Sequence, residues 1–274
     1  MAQQERVLHP DRSARDLFGF QLRKLRKQQG FSLTTLAAEL RHAKTVIGNV
    51  ETADRPIPLG LPAELDEFFQ TDGLFDHLFK LTLRESFPEW SRRYVELEPL
   101  ACEIREFATG TFPGLWQDDE YGPALIRLGN PLATAEEINR KWASRKARQE
   151  LLTRDSAPLM WVVLDEAVIR RHVGGPEAMR KQIQHVLDLT EGPKSVVQVL
   201  PFAAGGHGAM SGTTTLLDFT DNPRVVFVEG SDAGQLIEAE PQVRHTSLIY
   251  NLVQVKALSP EDSRAWLHRA KEEI

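Results

Sequence analysis

Apolar residues recur at helical spacing through the first third of the chain and then give way to short β-rich runs. Between 13 and 29, Leu17, Phe18, Leu22 and Leu25 share one helical face, and Gly30 stands where a helix C-cap is expected. Arg23, Lys24, Arg26 and Lys27 decorate the other face. Ser32 reads as the N-cap of a short helix over 33–40, with Leu33, Leu36, Ala37 and Leu40 on one side. A second short helix is predicted over about 44–52, with Val46, Ile47 and Val50 facing inward, and "DRPIP" stops it. Helices over about 62–70 and 74–83 follow. Phe68, Phe69, Leu74, Phe75, Leu78 and Phe79 would close a small core. The first expectation is an all-α five-helix domain over residues 1–85.

The remainder, 86–274, reads as a mixed α+β domain. "PEWSRRYVELEPLACEIREF" predicts a helix and then an extended stretch, and "FPGLWQDDEYGPALIRLG" a loop and then a helix. A long charged helix is predicted over 135–153. "PLMWVVLD", "SVVQVLPF", "TTTLLDF", "RVVFVEG" and "GQLIEAE" are five short strand-like runs bounded by turn residues. A helix over 176–190 between the first two makes a strand-helix-strand crossover. "DFTDNPRVV" predicts a hairpin. Two helices, over about 242–257 and 260–273, end the domain, and Ser259-Pro260-Glu261 is a start signal for the last. The fold class expected is α+β with about five short strands.

Composition narrows the class. With 41% hydrophobic and 26% charged residues, the 274-residue chain is ordinary for a soluble globular protein. No apolar run approaches the ~20 residues that span a bilayer. The polar opening segment predicts no secretory signal, and a cytoplasmic protein is expected. The single cysteine, Cys102, excludes an internal disulfide and a Cys-rich zinc site; among apolar neighbours it reads as a small core residue. Residues 1–60 carry ten Lys or Arg against six Asp or Glu, a balance of +4, while the rest carries 23 against 33, a balance of −10. A basic head on an acidic body suits a protein that touches nucleic acid at one end.

"SLTTLAAELRHAKTVIGNVE" has the apolar spacing of a helix-turn-helix, but its turn, Leu40-Arg41-His42-Ala43, has no glycine. Arg41 or His42 must then take the left-handed conformation, at a cost of about 1 kcal/mol that a packed core can absorb. Leu36-Ala37, then Ile47, Val50 and Glu51, then Arg55-Pro56 resemble the XRE/Cro-C1 type of helix-turn-helix repressor. Mapped on that pattern, the recognition helix exposes Lys44, Thr45, Gly48 and Asn49. Lys44 suits guanine acceptors, Asn49 suits adenine, and Thr45 a base methyl or a phosphate. Arg23, Lys27, Lys44 and Arg55 are the candidate phosphate contacts.

Three further blocks, "FPGLWQDDEYGPALI", "LDEAVIRRHVGGPEAMRKQIQHVLDL" and "VVQVLPFAAGGHGAMSGTTTLLDF", resemble the WhiJ-like (Scr1-type) family of actinobacterial regulators. The resemblance spans about residues 15–274. It implies an antitoxin-like, sequence-specific transcriptional regulator of the XRE family, acting in development. Its implied partners are double-stranded DNA, a second copy in a homodimer, and a small BldB-like protein encoded nearby.

The residues themselves leave alternatives open. Arg170, Arg171 and His172 stand before Gly174-Gly175-Pro176, where a helix start could hold an anion or could be a capped loop with a solvated edge. Four glycines surround His207, either as a flexible connection or as backbone that a ligand or partner approaches. Trp116 in "FPGLWQ" is a core plug or a binding lip. Arg171, His172, His207 and Trp116 are therefore the candidate partner- or ligand-binding residues. Asp165-Glu166 with His172 and His207 could be drawn as an acid-base site, but Ser211 lacks a nucleophile elbow. No enzyme, cofactor or metal site is expected. The alternative to a partner-controlled regulator is one whose second domain senses a small molecule.

Overall fold

The computed structural model describes residues 8–55, 57, 58, 60–85, 89–230 and 233–274. The chain divides into two compact units, Met1–Glu89 and Trp90–Ile274. Pro56 of the helix-turn-helix pattern and Pro88 before the sixth helix lie outside the described residues.

Among the described residues of the first unit, five helices follow one another: α1 (Ala14–Gln28), α2 (Leu33–Glu39), α3 (Lys44–Glu51), α4 (Leu61–Phe69) and α5 (Leu74–Glu85). Ser13 and Ser32 each accept a backbone N–H three residues on, capping α1 and α2. Phe18, Leu22, Leu36, Ile47, Leu61, Leu65 and Phe75 are fully buried in one core, and Phe18 meets Phe75 edge-on at 5.0 Å. Gly19 lets α1 cross the end of α3, since a Cβ there would stand 2.5 Å from the Glu51 carbonyl oxygen.

The helix ends explain the missing glycine. After α1, Gly30 takes φ +77°, its N–H reaches the Lys27 carbonyl, and the Phe31 N–H reaches that of Arg26. After α2 the same pair of bonds forms around Arg41 at φ 56°, from Arg41 N–H to Ala38 and from His42 N–H to Ala37. After α3 it recurs around Ala53 at φ 57°. Each is a Schellman closure, which glycine favours but does not monopolise.

The second unit holds one six-stranded sheet in the order β3-β2-β1-β4-β5-β6. The strands are β1 (Glu103–Ala108), β2 (Leu159–Asp165), β3 (Ser195–Leu200), β4 (Thr213–Asp218), β5 (Val225–Glu229) and β6 (Gly234–Ile237). β1, β2 and β3 are parallel; β4, β5 and β6 run antiparallel to their neighbours. Six strands replace the expected five. The extended stretch after the sixth helix is a central strand, masked in the sequence by Glu103, Arg105 and Glu106, where central strands are ordinarily apolar. The crossover between β2 and β3 and the β4–β5 hairpin form as expected.

One face of the sheet packs against α6 (Glu89–Leu97), α7 (Tyr121–Gly129), α10 (Pro176–Leu189) and α12 (Pro260–Glu273), with Ile104, Met160, Val162, Leu164, Val197 and Val199 in a common core. Trp90 and Tyr94 stack on Phe227 there. The other face, carrying Phe107, Val163, Leu216 and Val226, is covered by α11 (Glu240–Lys256) through Val243, Tyr250 and Val253. α8 (Ala135–Gln149) and the short α9 (Glu166–Arg170) complete the helices among the described residues. The edge of β3 is closed by the first turn of α12 and the residues before it: Leu258 N–H donates to the Val199 carbonyl, and the Ser263 hydroxyl accepts the Val199 N–H.

Cys102 is exposed, not a core residue. Just before β1, Ala101 turns inward and Cys102 outward, where its thiol lies 3.3 Å from the Asp218 carbonyl.

Candidate nucleic-acid interface and ligand pocket

The α3 helix is held from behind and open in front. Ile47 and Val50 are buried in the core, and Glu51 is almost fully enclosed. The Arg26 guanidinium grips the Glu51 carboxylate with two nitrogens, Nε to Oε1 and Nη2 to Oε2, and donates its third edge to the Phe31 carbonyl. Arg23 Nε adds a longer contact to Glu51 at 3.4 Å. At helical spacing, Lys44, Gly48, Thr45 and Asn49 then form one outward arc. Lys44 and Thr45 are exposed and Asn49 is half-buried, and a Cβ at Gly48 would meet nothing within 4 Å. Ala43 gives α3 no side-chain cap. No side-chain cap occupies the Lys44 and Thr45 amides at this helix start, a place where an anion can be received.

The predicted phosphate contacts separate. Lys27, Lys44 and Arg55 are exposed, whereas Arg23 is largely buried against Glu51. Arg26, expected on the solvated face with Arg23, is a core residue. Its cue was the pairing with Glu51, 25 positions away, which periodicity does not register.

In the second unit the chain leaves β3, passes the carboxyl ends of β2 and β1, and enters β4 on the far side of β1. This connection, residues 201–212, holds the four glycines around His207. It forms one wall of an open cavity of about 280 Å³ lined by Thr109, Asp165, Leu200, Pro201, Phe202, Gly205, Gly206, His207 and Met210. His207 Nε2 lies 3.7 Å from Asp165 Oδ2, and Phe107 backs the imidazole edge-on at 5.0 Å. Its Nδ1 is buried with no hydrogen-bond partner among the described residues. Asp165 Oδ1 accepts the Ala167 N–H and so caps α9.

Residues 91–269 match a family described as a domain of unknown function, DUF5753. The chain belongs to the DUF5753 family. The match covers the second unit and leaves α1–α5 outside it. No curated protein and no solved structure matches the chain.

Within the DUF5753 unit, the other candidate residues do not join His207 in the pocket. Trp116 is fully buried, so the "FPGLWQ" turn is a core plug and not a binding lip. Buried amides clamp it: Gln182 Nε2 donates to the Trp116 carbonyl, Gln117 Nε2 to that of Phe112, and Gln149 Nε2 to those of Gly114 and Gln117. Arg171 and His172 are exposed between α9 and α10 and do not line the cavity. Gly174 and Gly175, at φ +78° and +90°, make the turn that starts α10 at Pro176. Sequence reasoning named Asp165 only in the acid-base alternative with His172 and His207 and not among the binding residues, because its nearness to His207 arises only when β2 and the 201–212 connection meet.

A second polar cluster belongs to the packing of the DUF5753 fold. Glu98, buried, accepts from the Tyr94 hydroxyl and from Arg148 Nε and Nη2. Burial pushes the nearby Glu106 carboxyl up to about 8, Glu229 and Glu98 adding to the shift and Arg148 opposing it. Among the described residues no helix is long and apolar enough to cross a membrane.

Proposed function

We propose that the chain is a sequence-specific, DNA-binding transcriptional regulator of the XRE type, antitoxin-like and similar to the WhiJ-like proteins, acting in the cytoplasm. The observation that carries this reading is the α3 arc of Lys44, Thr45, Gly48 and Asn49, presented by a helix whose buried side is fixed by Ile47, Val50 and the Arg26–Glu51 pair. α3 enters the major groove; Lys44 and Asn49 read base edges, and Lys27 and Arg55 meet phosphates.

A homodimer on two half-sites about one helical turn apart fits this class of reader. α11 supports it. Its outer face carries Pro241, His245, Leu248, Leu252 and Val255 at alternating spacings of four and three, the repeat of a two-helix seam. Leu248, Leu252 and Val255 are more than half exposed. An antiparallel second copy would set Leu248 of each chain against Leu252 of the other. A small BldB-like partner bound to the DUF5753 unit then regulates operator affinity. A second reading, regulation by a small molecule, is favoured by the cavity at Asp165 and His207.

The test is selection of genomic fragments on the purified protein, with recovered sites retested across a salt series. Enrichment of a paired motif, a steep salt slope and loss of binding in Lys44→Ala/Asn49→Ala are expected. Sequence-specific binding that survives the double substitution removes α3 as the reading helix.

A further inference from the structure

The cavity under the 201–212 connection lies at the carboxyl ends of parallel strands, where the chain stops adding strands on one side of β1 and starts on the other. Open α/β sheets bind ligands at that place, because diverging connections leave a crevice there. Here the crevice is built in advance. Gly205 holds φ +71°, Gly208 sits so close that a Cβ would stand 3.1 Å from Ile249, and Lys256 Nζ holds the Gly206 carbonyl at 2.9 Å.

The lining chooses the ligand. Among the described residues, Asp165 is the one acidic side chain that lines it, and no lysine or arginine does. The Asp165 carboxylate spends Oδ1 on the α9 cap and leaves Oδ2 facing His207 at 3.7 Å, too far for a hydrogen bond. The His207 side chain is only 8% exposed, and its Nδ1 has no partner among the described residues. An ordinary buried histidine has its ring nitrogens satisfied, so the Nδ1 of His207 leaves a place for a further partner. At the rim, Phe202 and Met210 leave 60% and 69% of their surface in water. Two large apolar groups standing free beside an under-used carboxylate suit a small body that carries a positive charge. Asp165 would repel an anion, and the nearby Lys256 ammonium is held to the Gly206 carbonyl outside the lining. Among the described residues no three His, Cys, Asp or Glu side chains converge as metal ligands.

We infer that the Asp165–His207 cavity of the DUF5753 unit is a binding site for a small organic cation, an ammonium attached to a compact apolar or aromatic body. The ammonium donates to Asp165 Oδ2 and toward His207, and the apolar body covers Phe202 and Met210. This inference does not rest on DNA reading by α3, and its test reads ligand binding alone.

Methionine methyl groups give the readout. Of the four methionines, Met210 is at the cavity rim, and Met160 and Met179 are fully buried in the core. With the full chain labelled at methionine methyl carbon, benzylammonium, benzyl alcohol and benzoate are titrated separately. Met210→Leu assigns its peak. The expected result is a saturable shift of the Met210 methyl with benzylammonium, with Met160 and Met179 unmoved. Affinity should be at least about tenfold above that for either control. Asp165→Asn keeps a side chain able to cap α9 and should lose that preference. Phe202→Ala, at an exposed position, should weaken benzylammonium without disturbing the core methyls. Equal affinity for the three probes, an unmoved Met210, or an Asp165→Asn protein that binds benzylammonium as before would each overturn the assignment.

Discussion

Arg26 and Glu51 form a buried, two-pronged ion pair that ties α1 to the last residue of α3. Both side chains are nearly without solvent, so water screens little of their attraction. The pair fixes the axial position of α3, and with it the outward arc that begins at Lys44.

Removing Glu51 takes away the buried carboxylate that Arg26 and Arg23 both reach. Glu51→Ala should destabilise the first unit by about 3–5 kcal/mol. Gly19→Ala forces a methyl onto the Glu51 carbonyl and should cost about 1–3 kcal/mol through the same contact between helices. Denaturant unfolding monitored by far-UV circular dichroism checks both; an unchanged first-unit transition in Glu51→Ala refutes the role given to the pair.

The turn between α2 and α3 carries a local strain that can be removed. Arg41 is exposed and sits at φ 56°, in a closure that Gly30 makes without penalty. Arg41→Gly should therefore stabilise the unit, by up to about 1 kcal/mol after the added freedom of the unfolded chain is counted. Arg41→Ala, which keeps a Cβ, should not. A shift of the unfolding midpoint in the glycine variant alone is the signature.

Gly48 lies on the exposed arc with space around it. Gly48→Ala should raise helix stability by about 1 kcal/mol. If the backbone of α3 approaches the groove at this point, the same variant binds its operator more weakly. Higher stability with unchanged operator affinity would remove Gly48 from the contact surface.

Glu106 makes the second unit sensitive to pH. Its carboxyl is raised to about 8 in the fold, against 4.5 for the ordinary group. Between those values the folded state holds the proton and the unfolded state does not, so stability falls as pH rises through that window. Glu106→Gln removes the dependence. It should leave stability little changed near pH 4.5 and raise it by more than about 1 kcal/mol at pH 8. Parallel stability profiles for the two proteins would contradict this.

The α11 seam predicts self-association through a single helix face. Leu248→Lys and Leu252→Lys place charge on positions that face water in the isolated chain, so folding should be untouched. Sedimentation velocity should show a dimer for the parent and a monomer for the double variant. A dimer that persists places the interface elsewhere.

Local chemistry made much of this protein legible. Apolar residues at helical spacing, Ser13, Ser32 and Gly30 at helix ends, and Pro260 at a helix start marked α1, α2 and α12 to within a residue or two. Each such signal is written within about one helical turn of where it acts. The strand runs from 159 onward were equally visible, since consecutive β-branched residues bury on both faces. β1 was not, because its charges find partners elsewhere in the fold: Arg105 reaches Asp218 of β4, and Glu106 is enclosed near Glu229 and Glu98.

The sequence by itself determined the α+β class, the order of the elements other than the strand character of β1, and the arc of α3 that carries Lys44, Thr45 and Asn49. Tertiary structure alone decided that Arg26 is core, that Trp116 is a plug, that Cys102 is exposed, and that Asp165 faces His207 across a cavity. The first group depends on neighbours along the chain, which periodicity and capping encode. The second depends on which distant segments meet, and that is settled only when the two faces of the sheet are covered and the buried polar groups find, or fail to find, their partners.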